Sequence, residues 1–392
     1  MTILPQQPMI TAKRHMIVAG HYLATEAGAK ILEAGGNAID AGVAAGIALG
    51  VVHSDQVQFS GVAPMLIYLA EKDEVISIAG LGHWPKSANL SLFENQYNGT
   101  IPLGLLRTVV PAAPDAWITV LKNYGTMSFG EVASSAIKYA REGITVHPTM
   151  SKFLSRYQEN YRMWPSNSNI WQKNGHPLEV GDLLIQTDLA ASIQFMADQE
   201  AAAMKDGREK GLQAARDAFY VGDIASKIVK YHKENGGLMT ADDMASYATP
   251  IEKPLSINFR GTEVYSCRPW CQGPVLLQML NMLNDIDLKA MGHNSTNYIH
   301  YLAETIKLSF ADRERYYGDP NFVDVPVEKL LSSEFARQRQ EQIDLQKAWS
   351  KMPPAGEIEG FGGISLRSKI NSDASFSEPD TSYTCTMDQH GN

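Results

Sequence analysis

The sequence predicts a mixed α+β fold in which helices predominate. Three observations carry this. An alanine- and glycine-rich helical pair occupies residues 21–52. Two hairpin strands follow at 64–68 and 74–78. A β-prone segment, 381–387, comes after a stretch of linker composition.

In the first pair, Ala27, Ile31 and Leu32 share one helical face, the spacing of an amphipathic helix. Gly35-Gly36-Asn37 stops that helix, as a glycine just past a helix end does. Asp40 is placed to cap a second helix through Ala44, Ala45 and Ala48. Side chains this small imply close helix packing. The two strands are joined by the polar turn Glu71-Lys72-Asp73. Helical periodicity returns over 117–124 and 129–142, with Ser128 and Glu131 at capping-box spacing. Between Leu154 and Gly175 the pattern dissolves into aromatics, Asn and Ser, and an irregular surface stretch is expected. Its aromatics (Tyr157, Tyr161, Trp164, Trp171) read equally as a binding surface or a packed loop. Further helices are expected over 217–232, 240–247, 276–284 and 298–315, and one strand over 256–265. Glu304, Lys307, Asp312 and Arg313 share a helix and read as a solvated or subunit-facing ion-pair network.

Residues 1–350 form the body of the chain, and 351–380 have the Gly, Pro and Ser content of a flexible linker. Residues 381–392 supply one strand and the turn signal Asp388-Gln-His-Gly-Asn392. A strand needs a partner for its backbone groups, so the natural protein is expected to continue past Asn392.

Of the 392 residues, 44% are hydrophobic and 20% charged, an ordinary globular composition that can build a core without disulfides or metal. The net charge of -9 argues against nucleic acid, which needs clustered Lys and Arg. Cys267, Cys271 and Cys385 are too few for a disulfide framework and wrongly spaced for zinc; buried, inert thiols are expected. Gly35-Gly36 lacks the rest of any phosphate-loop pattern. No cofactor and no metal are expected. The most apolar run, 41–52, is too short to span a bilayer. The opening residues lack a basic-then-apolar export pattern, so a cytoplasmic protein with no membrane partner is expected.

Several blocks then occur in a fixed order: Ile31-Leu-Glu-Ala-Gly-Gly-Asn-Ala-Ile-Asp40, Val110-Pro111 with Trp117 and Tyr124-Gly125, Phe219-Tyr-Val-Gly-Asp-Ile-Ala225, Gly236-Gly-Leu-Met-Thr240, Lys307-Leu-Ser-Phe-Ala-Asp-Arg313 and Asp319-Pro320. Together they resemble the large subunit of the γ-glutamyltransferase (γ-glutamyltranspeptidase) family over nearly the whole chain. The resemblance implies the N-terminal-nucleophile hydrolase fold, a four-layer αββα sandwich with a large helical part. It also implies a precursor that cuts itself into a large and a small subunit. In that family a Thr opens the small subunit in a pattern like Thr-Thr-His-x-Ser-x-x-Asp-x-x-Gly-Asn. Here Thr381, Asp388, Gly391 and Asn392 match, while Ser382 and Tyr383 replace the second Thr and the His.

The resemblance therefore implies cleavage between Asp380 and Thr381, with Thr381 as the nucleophile. A Thr hydroxyl needs a base, and the α-amino group freed by that cut, with a pKa of about 8, is one. The implied partners are a small-molecule amide substrate and the chain's own small subunit. One departure bears on the substrate. Where γ-glutamyl enzymes carry an Arg that grips the α-carboxylate, this chain has Gly80-Leu81-Gly82-His83-Trp84-Pro85, with Leu81 at the Arg position. A bidentate charged grip is lost. Leu81 and His83 are the candidate substrate-binding residues, a purely structural role being the other reading of His83. An inactive relative serving as a binding or scaffold protein is the competing reading of the whole chain.

Overall fold

Helix α2, Ala38–Val52, is buried on nearly every side, and the fold is arranged around it. Its sequence makes this possible, because glycines replace side chains where neighbours come closest. A Cβ on Gly46 would lie 3.0 Å from the Trp117 indole nitrogen, and one on Gly50 would lie 2.8 Å from the Phe59 backbone nitrogen. The helix starts at Asn37, not at the expected Asp40. The Asn37 Oδ1 accepts from the Asp40 N–H at 2.9 Å, and the Asp40 carboxylate accepts from the Asn37 N–H at 3.0 Å. This is a capping box with Asp at its third position. The fully buried Asp40 also accepts from the Thr126 N–H and hydroxyl and from the Met127 N–H, fastening the helix start to a distant loop.

The computed structural model describes residues 9–363 and 381–392. Strand β1, Met16–Ala19, leads into helix α1, Tyr22–Glu33, which packs along α2. Strands β2, Met65–Leu69, and β3, Glu74–Ile78, form the expected hairpin, with Asp73 in the left-handed region at φ 49°. A third strand, Ile251–Glu252, joins the free edge of β3. The single strand expected over 256–265 is instead a second hairpin, Leu255–Phe259 and Thr262–Ser266. Arg260 and Gly261 turn it at φ 52° and 87°. A two-residue turn preserves the period of two, so the alternation reads straight through it.

The helix Phe129–Glu142 carries the expected Ser128–Glu131 capping box. Glu200, almost fully buried, adds to it by accepting from the Phe129 and Gly130 N–H groups at 2.8 and 2.7 Å. An anion suits the positive end of a helix. Glu200 lies on a 17-residue helix, Thr187–Ala203, whose run of alanine and polar residues gave no clear apolar period. The helix expected over 217–232 is two, Arg208–Tyr220 and Asp223–Glu234, separated at Val221-Gly222. Residues 154–175 are not irregular, since they contain the end of Pro148–Arg156 and the short helices Gln158–Arg162 and Pro165–Trp171. Among the described residues no helix is long and apolar enough to cross a membrane.

The helix Thr296–Tyr316, where a solvated or subunit-facing network was expected, keeps Arg313 in a solvent-accessible pair with Glu314 but buries the carboxylates of Asp312 and Glu304. Asp312 is fully buried and bonds the equally buried Arg339 at 3.1 Å, while Glu304 is 1% exposed and pairs with Lys307. Residues 351–363, expected to belong to a linker, pack onto the same region. The Gly356 N–H donates to Asp312 at 2.7 Å, its carbonyl accepts from the Tyr316 hydroxyl at 2.8 Å, and Ile358 is buried. The rest of the expected linker, 364–380, lies outside the described residues, Asp380 with it.

Removing one partner of a buried pair leaves an uncompensated charge, which typically costs about 3–5 kcal/mol. Arg339→Leu is therefore expected to lower stability by ~3–5 kcal/mol in urea unfolding, and Asp312→Leu added to it to restore much of the loss. A double variant no more stable than Arg339→Leu would refute the buried-charge account.

Candidate active site

The segment around Thr381 is held by a strand pairing between the two ends of the described chain. Thr384–Met387 runs antiparallel to β1, with Met16 opposite Met387 and Ala19 opposite Thr384. The Gly20 N–H extends the ladder to the Tyr383 carbonyl at 3.0 Å. The approach is close, because a Cβ on Gly20 would lie 2.2 Å from the Ser382 hydroxyl oxygen and would force that hydroxyl to turn away. On its other side the strand meets α2, where the Thr386 hydroxyl donates to the Ala38 carbonyl at 2.7 Å.

Asp388 fixes the end of this strand. It is 6% exposed. One carboxylate oxygen accepts from the Ala38 N–H, at the start of α2, and from the Asn392 side-chain amide, both at 3.0 Å. The other accepts from the His390 and Asn392 N–H groups at 2.9 and 3.1 Å. The Asn392 side-chain oxygen in turn accepts from Ala70, next to β2. Burial pushes the Asp388 carboxyl up, but the donors from Asn392, Ala38 and His390 outweigh it and hold it below its ordinary value. Gly391 supplies the left-handed turn, at φ 88°.

Thr381 and Ser382 border a cavity of about 560 Å³, with α2 and β2 as its walls. Leu81 and His83 do not line this cavity. They sit on the loop after β3, where the Leu81 carbonyl accepts from the Tyr247 hydroxyl at 3.2 Å and the His83 ring lies 5.8 Å from the Tyr247 ring. Both are exposed.

Cys267 and Cys271 do line the cavity. They are half-buried, where the sequence reading expected buried thiols. The Cys271 thiol bonds Cys267 and brings it down to about 7 against the opposing effect of burial, while Cys271 itself is pushed up. Cys385, expected to be buried, is exposed, because its side of the strand faces away from α2.

Sequence reasoning missed one cluster beside Ser382. His53, which ends α2, places Nδ1 3.1 Å from the Ser382 hydroxyl oxygen. The His147 ring lies 5.8 Å from His53, and the His21 ring lies 5.5 Å from His147. Asp55 completes the group: His53, Asp55 and His147 each bring one potential ligand atom to within 4.8 Å of the others. Burial, then the neighbouring His147 and His53, push His21 down to about 4. Burial and His147 also lower His53, against the opposing effect of Asp55. The cluster comes from helix ends far apart in the chain, so no motif announces it.

The Asp388 bonds yield a prediction with a defined pH dependence. Hydrogen bonds to a charged group are worth about 1.5–3 kcal/mol, so Asp388→Asn should cost ~2 kcal/mol at neutral pH. A lowered carboxyl stabilises the folded state only while ionised. The wild-type advantage should be complete above the ordinary value of 3.8 and fade as pH falls through the lower folded-state value. Urea unfolding of both proteins from pH 7 to pH 2 tests this; a difference that does not change with pH would contradict it.

The gamma-glutamyltranspeptidase family model matches residues 24–392. The chain is 32% identical over 357 residues to a glutathione hydrolase-like YwrD proenzyme of Bacillus subtilis, covering 91% of this chain and 65% of that protein. It is 34% identical over 355 residues to the glutathione hydrolase proenzyme of Escherichia coli, covering 89% of this chain and 58% of that one. An acylase ACY 1 proenzyme of a Pseudomonas species is 32% identical, covering 88% and 62%. The chain thus spans about three fifths of the length of these curated relatives. Among solved structures, Helicobacter pylori gamma-glutamyltranspeptidase superposes with a TM-score of 0.80 at 30% identity, over 93% of this chain and all of that one.

Proposed function

The chain belongs to the gamma-glutamyltranspeptidase family, and from that premise we propose that its protein is a self-processing amidohydrolase or acyltransferase whose nucleophile is Thr381. The observation that carries this reading is the position of Thr381 at the rim of the α2–β2 cavity, next to a strand locked by β1 and Asp388. Catalysis by a hydroxyl requires such a fixed approach, since a misplacement of about 1 Å can cost on the order of a hundredfold in rate.

Processing begins when the Thr381 hydroxyl attacks the Asp380 carbonyl carbon. The peptide nitrogen leaves as the Thr381 amine, and an ester joins Asp380 to the Thr381 oxygen. Water hydrolyses that ester, leaving the Asp380 carboxylate and a free Thr381 hydroxyl and amine. In turnover the amine takes the hydroxyl proton as the oxygen attacks a substrate amide, and passes it to the departing amine. Water or an acceptor amine then releases the acyl group. The partners are a small amide substrate and the chain's own small subunit.

The acyl group is the open part of the specificity. Relatives named as glutathione hydrolases and as an acylase are similarly distant from this chain. Leu81 favours an acyl group without a glutamate-like α-carboxylate, because a carboxylate leaving water needs a cation or several donors. Arg107 is not a ready substitute, since its guanidinium already donates to the Ile101 carbonyl at 2.9 and 3.2 Å. Leu81 and His83 lie off the walls of the cavity at Thr381, so their proposed part in specificity rests on the family pattern at residues 80–85 alone.

Two experiments test these readings. The full-length precursor should yield a fragment beginning Thr-Ser-Tyr-Thr-Cys, and Thr381→Ala should stay uncut; cleavage of that variant at the same bond would remove Thr381 from the mechanism. The mature enzyme should hydrolyse γ-glutamyl-p-nitroanilide with kcat/KM below about 10⁴ M⁻¹s⁻¹, the low edge for good enzymes. A higher value would show that Leu81 does not decide the acyl group.

A further inference from the structure

We propose that His53, Asp55 and His147 form a binding site for a divalent transition-metal ion, with zinc the natural probe. The three residues offer two imidazole nitrogens and one carboxylate oxygen within 4.8 Å of one another. Two imidazoles and a carboxylate, with a further position left to water, are a common zinc donor set, and imidazole also suits nickel and cobalt.

One buried atom points to a cation independently of that spacing, and a second is left without a partner. Asp55 is 7% exposed, and its Oδ1 has no hydrogen-bond partner among the described residues. The His147 Nε2 is likewise buried and unpartnered. A buried carboxylate oxygen without a donor is costly, and a cation shared with two imidazoles satisfies it.

The surrounding bonds assign the nitrogens. The Nδ1 of His53 already faces the Ser382 hydroxyl, so Nε2 serves the metal and Nδ1–H donates to Ser382. Metal-bound imidazoles usually carry such an outer bond. The Nδ1 of His147 accepts from the Met150 N–H, capping the helix Pro148–Arg156, which places the proton on Nε2. Coordination moves that proton to Nδ1 and gives up this cap. His21 stays outside, since its Nδ1 caps α1 through Leu23. The ion would tie together the end of α2, the start of Pro148–Arg156 and, through Ser382, the segment beside Thr381. The donors meet only in the folded chain, so no sequence motif pointed to such a site.

The test uses full-length protein stripped with EDTA and titrated with zinc chloride against a chromophoric chelator. One zinc per chain is expected, weakened at least tenfold in Asp55→Asn and in His147→Asn. Asn is itself a good helix cap, so His147→Asn removes the ligand while keeping the helix start. Zinc should raise the wild-type Tm by mass action and leave the variants unmoved. No uptake by the wild type, or uptake that both variants keep at full affinity, overturns the proposal. If the variants do not fold, cobalt-loaded wild-type protein decides it: paramagnetically shifted imidazole N–H resonances from two histidines support the site, and none overturns it.

Discussion

The antiparallel pairing of Thr384–Met387 with Met16–Ala19 is the constraint on which the candidate site depends. It joins residues more than three hundred positions apart and sets the register of everything from Ser382 to Asn392. Asp388 makes that register specific. Its carboxylate gathers four donors, one of them the Ala38 N–H at the start of α2. A carboxylate at a helix N-terminus gains from the unsatisfied N–H groups and from the helix dipole. A slip of one residue would turn Asp388 away from α2 and reverse the faces of the strand. Thr386 would then lose its bond to Ala38, and Cys385 would point inward.

Helix α2 makes this possible by being narrow. Its glycines face Thr386, the Trp117 indole and the Phe59 backbone, so the helix packs at short range on three sides. The same element touches the terminal segment at both ends: Ala38 bonds Thr386 and Asp388 at its start, and His53 bonds Ser382 at its finish. The segment that carries Thr381 is thereby measured against a rigid helix of 15 residues. Sites held on rigid elements keep their geometry better than sites on free loops.

Polar groups in this protein act mainly by fastening distant backbone. Asp40 holds the loop at Thr126 and Met127, Glu200 caps the helix Phe129–Glu142, and Asp312 receives Gly356. Each is a buried carboxylate whose partners include main-chain N–H groups. Such bonds satisfy the desolvated charge and make its removal costly. The sequence reading placed Asp312 in a solvated or subunit-facing network because helical spacing reports neighbours on one helix and carries no information about a second helix packed over it.

Local chemistry made much of the architecture legible. The stop at Gly35-Gly36, the capping box at Ser128 and Glu131, the hairpin of β2 and β3 and the Thr381–Asn392 pattern are read within a few residues, and the ordered blocks along the chain pointed to the family. By itself the sequence determined the mixed fold class and that family, together with the candidate nucleophile. Only the tertiary structure decided that β1 is the partner of the terminal strand, that Cys267 and Cys271 share the cavity with Thr381, and that Leu81 and His83 lie off its walls. It alone brought His53, Asp55 and His147 together. The physical reason is the same in each case. Periodicity and capping act between residues a few positions apart, whereas strand partners, cavity walls and ligand clusters are set by where long connections return the chain, and single-chain spacing does not encode that return.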